Sequence, residues 1–201
     1  MIRIGVLISG SGSNLQAILD ACAVGRIDGR VAVVLSDKAD AYGLERARKA
    51  GVEAIFLDPA PYETKSAYNA ALADTLKERA VDLVCLAGFM RIVRKPVLDA
   101  FPGRILNIHP SLLPAFPGLE AQRQALEYGV KVAGCTVHYV TAGMDEGPII
   151  RQAAVPVLDG DTFETLRDRI LEQEHRIYAE AIQLFAQGRL RIVGRRVEVS
   201  E

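Results

Sequence analysis

Apolar runs alternate with amphipathic stretches through the first hundred residues. Strand-like runs fall at 2–8, 31–36, 54–57, 83–86 and 105–108, and each is almost continuously apolar. Between them, residues 14–24, 43–50, 63–79 and 95–100 carry apolar side chains at helical spacing. Strands buried on both faces read this way when helices cover each side of a parallel sheet. The pattern changes near residue 110. Residues 132–140 and 149–157 are consecutive strand candidates with no helix between them, joined by the loop-forming stretch 141–148. That sequence predicts an antiparallel pair. A long helix is expected over 162–187, with Asp161 as its N-cap and Gly188 as its stop. The tail, 189–199, has strand character and predicts an edge hairpin around Gly194.

With 201 residues and no linker, repeat or low-complexity tract, the chain is expected to form one domain, 1–201. A net charge of -1 gives no electrostatic reason to bind nucleic acid or an acidic membrane. No apolar run approaches the ~18 residues that would span a bilayer. The first residues read as a buried strand and not as a signal peptide. Cys22, Cys85 and Cys135 are widely spaced with no CxxC pair, as expected of reduced thiols in a cytoplasmic protein. The spacings of His109, His138 and His175 match no zinc motif, and no metal is expected.

Chemistry concentrates in three places. Ser9-Gly10-Ser11-Gly12-Ser13-Asn14 lies between the first strand and the first helix. Glycines there let the backbone approach a ligand, and helix N–H groups can bind phosphate oxygens. A plain tight turn remains the other reading. The dinucleotide fingerprint fails at its third glycine, where Leu15 stands, although Asp37 is placed to hold a ribose. The second place is Asn107-Ile108-His109-Pro110-Ser111 at a strand end, before a proline-rich loop. Asn107 and His109 share one face of an extended segment, a carboxamide and an imidazole suited to oxyanion and proton chemistry. The third is Asp145, a loop residue that either forms a turn or, if its loop folds back, pairs with His109. His138, inside a strand, reads equally as structural or as part of the site. His175 reads as a helix residue with no site role.

The motifs carry a resemblance. Leu7-Ile8-Ser9-Gly10-Ser11-Gly12-Ser13-Asn14-Leu15-Gln16-Ala17, Gly43-Leu44-Glu45-Arg46-Ala47 and Leu86-Ala87-Gly88-Phe89-Met90-Arg91-Ile92 belong to it. So do Leu106-Asn107-Ile108-His109-Pro110-Ser111-Leu112-Leu113-Pro114, His138-Tyr139-Val140 and Asp145-Glu146-Gly147-Pro148-Ile149-Ile150. From residue 2 to about residue 188 the chain resembles the folate-dependent phosphoribosylglycinamide formyltransferases. The fold class this implies is α/β, a mostly parallel Rossmann-like sheet with helices on both faces and an antiparallel C-terminal strand pair. A nucleotide-binding half is expected over about 1–110 and a folate and catalytic half over about 85–190.

The resemblance implies formyl transfer from 10-formyltetrahydrofolate, as co-substrate, to the amine of glycinamide ribonucleotide in purine synthesis. It makes Asn107, His109 and Asp145 the catalytic trio. It places the substrate phosphate at Gly12, Ser13 and Asn14, and a further substrate contact at Glu174. Folate contacts are implied at Lys65, Met90, Arg91, Ile92, Val93, Asn107, Thr141, Ala142, Gly143 and Met144. Lys65 and Gln122 stand where relatives commonly carry Arg and His, and the resemblance suggests a cis Leu113-Pro114 bond. Small-molecule substrates, no nucleic acid, no membrane and a cytoplasmic monomer or homodimer complete the expectation. Two rivals share these residues: a hydrolase that deformylates the same folate with water, and a nucleotide-binding module without chemistry.

Overall fold

A computed structural model of the chain describes residues 1–200. The chain divides into two compact units, Met1–Asn107 and Ile108–Glu201. The first unit alternates strand and helix: β1 (Ile2–Ile8), α1 (Ser13–Ala23), β2 (Gly29–Ser36), α2 (Tyr42–Lys49), β3 (Glu53–Phe56), α3 (Lys65–Glu78), β4 (Leu83–Leu86), α4 (Lys95–Ala100) and β5 (Ile105–His109), whose last residues open the second unit. These strands run in the order β3-β2-β1-β4-β5, and every pairing among them is parallel. Ile4–Ile8 of β1 and all of β4 are buried, as the apolar runs predict for strands covered on both faces. The order reverses direction between β1 and β4, and their carboxyl ends therefore open onto a crevice.

The second unit contains α5 (Ala121–Tyr128), β6 (Val132–Tyr139), β7 (Ile149–Pro156), α6 (Phe163–Ala186), β8 (Leu190–Val193) and β9 (Arg196–Val199). β6 and β7 pair antiparallel, with the register shifting between Val137 and His138. β8 and β9 form the expected antiparallel hairpin, and β9 touches β7 in parallel at Ile149 and Arg196. α6 packs on β6 and β7 through a stripe that includes Leu166, Ile170, Ile177 and Ile182.

Two details depart from the sequence reading. Asp161 does not cap α6. Thr162 does, in a reciprocal pair with Thr165 that satisfies both backbone N–H groups. Asp161 instead accepts hydrogen bonds from Leu158 N, Thr165 Oγ1 and both Arg169 Nη atoms. These donors hold its carboxyl well below the usual range. The helix α5 was not anticipated at all. Its N-cap, Glu120, has φ 55° and makes no side-chain cap, so the usual start signal is missing.

Candidate active site

In the first unit the chain leaves β1 and turns through Ser9–Gly12 into α1. Gly12 has φ 71° and ψ 32°, a left-handed conformation that glycine adopts without penalty. A Cβ on Gly12 would stand 2.6 Å from Gly43 Cα, and Gly43 N donates to Gly10 O at 3.0 Å. The Gly43 motif thus acquires a physical cause: two helix starts meet here too closely for a side chain. No side chain caps α1 and no acidic residue occupies its first turn, an arrangement that leaves helix N–H groups for an anion. Arg46 Nε donates to Ser11 O at 2.9 Å and fixes that carbonyl, a brace the sequence did not signal. Ser9–Asn14 together with Ala87, Gly88 and Met90 line a cavity of about 210 Å³ at the ends of β1 and β4.

Asp37 follows β2 and is only 4% exposed. Its Oδ1 accepts from Ser9 Oγ at 2.5 Å and its Oδ2 from Arg91 Nε at 2.7 Å. Each oxygen takes one protein donor, so the carboxylate braces the loops that follow β1 and β4. The Ser9 hydroxyl also accepts from Met90 N at 2.9 Å. Arg91 lies over the Tyr68 ring at 5.5 Å. In the same segment Met90 and Ile92 are 63% and 54% exposed, whereas Val93 is buried. Lys65 is exposed at the first position of α3. Asn107 is half-buried on β5, two positions before His109.

In the second unit His109 is buried where β5 ends. Its Nε2 lies 2.9 Å from Phe116 O. A carbonyl only accepts, so Nε2 carries the proton of that bond. Its Nδ1 faces Asp145 Oδ2 at 3.6 Å. Asp145 has φ 54°, a left-handed position that Asp tolerates better than most residues, and Gly118 N donates to its Oδ2 at 2.8 Å. The proline-rich loop therefore grips both partners, the imidazole through Phe116 and the carboxylate through Gly118. That loop is pinned in turn by buried Thr136. Its hydroxyl donates to Ser111 O at 2.7 Å and accepts from Leu113 N at 3.1 Å. Gln152 Nε2 adds a bond to Leu113 O at 2.9 Å. The Leu113-Pro114 bond is cis.

His138 follows the register shift in β6, an irregularity of the kind that re-aims a side chain. Its Nδ1 is 2.9 Å from Tyr139 O, and its Nε2 is 3.9 Å from Asp145 Oδ1. Burial pushes its pKa below the ordinary value; the bond to Tyr139 and the nearby Asp145 carboxylate oppose that without reversing it. Gly147 completes the loop. A Cβ there would stand 1.6 Å from Tyr139 O, the carbonyl His138 uses. Thr141, Ala142 and Met144 are exposed on the same loop. Glu174 is buried on α6, and His175 beside it is half-buried. Burial, reinforced by the Glu174 charge, raises the Cys135 thiol to about 12, and burial raises Cys22 to about 11. Neither is the thiolate that covalent catalysis needs.

A family profile described as formyl transferase matches residues 2–182. The chain belongs to the formyl transferase family. Phosphoribosylglycinamide formyltransferase of Escherichia coli (strain K12) is 50% identical over 191 residues, covering 95% of this chain and 90% of the relative. The solved glycinamide ribonucleotide transformylase 1 of Symbiobacterium toebii superposes with a TM-score of 0.99 at 75% identity, covering 100% of this chain and 95% of that one. A formyltetrahydrofolate deformylase of Pseudomonas syringae pv. tomato also superposes, with a TM-score of 0.92. That match has 25% identity and covers 100% of this chain and 66% of the deformylase. Formyl transferases use a formyl-folate as co-substrate. Among the described residues no group of three or more His, Cys, Asp or Glu side chains could hold a metal ion, and no helix is long and apolar enough to cross a membrane.

Proposed function

We propose that this formyl transferase passes the formyl group of 10-formyltetrahydrofolate to the amine of glycinamide ribonucleotide, in purine synthesis in the cytoplasm. The observation that carries the choice of acceptor is the small cavity at the uncapped start of α1, lined by Ser9–Asn14. Its glycines admit a phosphate to backbone donors, and Gly12, Ser13 and Asn14 are the residues assigned to it. Both compact units act as one catalytic domain, working as a monomer or homodimer.

The chemistry assigned to the residues is as follows. The substrate amine attacks the formyl carbon and an oxyanion develops on the formyl oxygen. Asn107 donates its carboxamide N–H to that oxyanion, and the imidazole of His109 stabilises the same developing charge. Asp145, facing Nδ1, orients the imidazole and relays a proton from the attacking nitrogen toward the departing folate nitrogen. No covalent enzyme intermediate is needed. Met90, Ile92 and Val93 supply apolar wall to the folate, while backbone groups of Arg91 and of Thr141, Ala142, Gly143 and Met144 read its polar edge. Lys65 reaches the folate carboxylates as a single charge without the fork of an arginine. Glu174 contacts the acceptor.

The likeness to a deformylase keeps one second reading in view, with water in place of the amine. Formyl transfer is followed by the appearance of deformylated folate with and without glycinamide ribonucleotide. Product that depends on the amine supports the transferase. Product at the same rate without it would establish the hydrolase.

A further inference from the structure

Three loops meet around Asp37 just beyond the ends of three strands. Ser9 follows β1, Asp37 follows β2, and Met90 and Arg91 lie in the segment after β4. Ser9 N still donates to Gly88 O at 3.0 Å, so the backbones run side by side until this point and then diverge. Past it, side chains hold them. The Ser9 hydroxyl has one proton, given to Asp37 Oδ1, and a lone pair that takes the Met90 N–H. The remaining Asp37 oxygen takes Arg91 Nε, and the guanidinium rests against the Tyr68 ring. The three contacts run from 2.5 to 2.9 Å.

We propose that Asp37 and Ser9 are positioning residues that build the phosphate loop and the folate-side segment 88–93 as one rigid piece, fixing the acceptor site relative to the formyl-donor site. This rests on the functional reading above for what the two segments bind. The carboxylate is buried and bears the charge that orients Arg91. The hydroxyl links the two segments directly, and Asp37 links Ser9 to Arg91. Loss of the Ser9 hydroxyl frees Met90 N and one Asp37 oxygen, and loss of the Asp37 charge weakens its hold on both Ser9 and Arg91, so either change loosens the two segments against each other. An incidental structural bond would lower stability alone.

The test is steady-state kinetics of the full chain for wild type, Ser9→Ala, Ser9→Thr and Asp37→Asn, with melting temperatures alongside. Hydrogen bonds to a charged group are strong enough that KM for both glycinamide ribonucleotide and 10-formyltetrahydrofolate should rise by about tenfold in Ser9→Ala and Asp37→Asn, with kcat falling less than KM rises. Ser9→Thr keeps the hydroxyl and should restore both constants. Unchanged KM values with a lowered melting temperature would overturn the positioning role. So would a rise confined to glycinamide ribonucleotide, which would make the effect local to the glycine loop. If Asp37→Asn fails to fold, the Ser9 pair still decides, because neither change removes the buried charge. Wild-type protein with no amine-dependent formyl transfer would sink the functional reading and this inference with it; normal wild-type turnover with unaltered variants sinks the inference alone.

Discussion

His109 and Asp145 face each other across 3.6 Å, Nδ1 to Oδ2, and one loop holds both of them. Phe116 and Gly118 are two positions apart, yet one binds the imidazole and the other the carboxylate. The distance between imidazole and carboxylate is therefore set by loop geometry. Truncating either side chain should leave that loop, and the fold, in place.

His109→Ala and Asn107→Ala are each expected to lose about 10²–10³ in kcat, the usual cost of one oxyanion donor. Circular dichroism and melting temperature should stay near wild type. Near-normal kcat in either variant would remove the oxyanion role.

Ser13→Asp places a negative charge in the first turn of α1, at the site assigned to phosphate. Binding of glycinamide ribonucleotide should weaken far more than binding of a folate analogue, measured by calorimetry. Equal losses for both ligands would mean that the loop is structural only.

His138 gives the chain a pH dependence of known sign. Its folded pKa lies below the ordinary 6.5, so as pH falls below about 6.5 the unfolded chain takes up the proton first. Stability is lost over the window from there down to the folded pKa, and the contribution is intact above it. His138→Gln should flatten this part of the profile. Urea midpoints at pH 7.5 and pH 5.5 test it, and an identical drop in wild type and variant would contradict it.

Gly147→Ala sets a methyl 1.6 Å from Tyr139 O, a backbone atom that cannot swing aside. Overpacking of this kind costs about 1–3 kcal/mol or more. Because Asp145 is two residues away, kcat should fall together with the melting temperature. A variant with normal stability and activity would show that the loop can re-route.

The sequence made the strands legible because buried parallel strands are continuous apolar runs, and it made Asn107, His109 and Asp145 conspicuous as polar residues at strand ends and in loops. Their meeting was only conditional in the sequence. Whether residues 141–148 fold back depends on Gly147 passing under the Tyr139 carbonyl, a tertiary contact that no local pattern encodes. Asp37 is by spacing only a candidate for a ribose, and spacing cannot reveal Arg91, 54 positions later, as its partner. Arg46 and α5 carry no local signal for related reasons. The first looks like any helix-surface arginine, and the second begins without a capping side chain.

The bond from Met90 N to the Ser9 hydroxyl spans 81 positions. A nascent chain displaying only β1 and the glycine loop possesses the sequence of a phosphate site without its far wall. That wall arrives when β4 docks on β1, a closure that carries the entropic cost of a long loop. Fragments ending before residue 86 should therefore be blind to the acceptor however well α1 forms, and the birth of affinity marks the moment at which the central strands join.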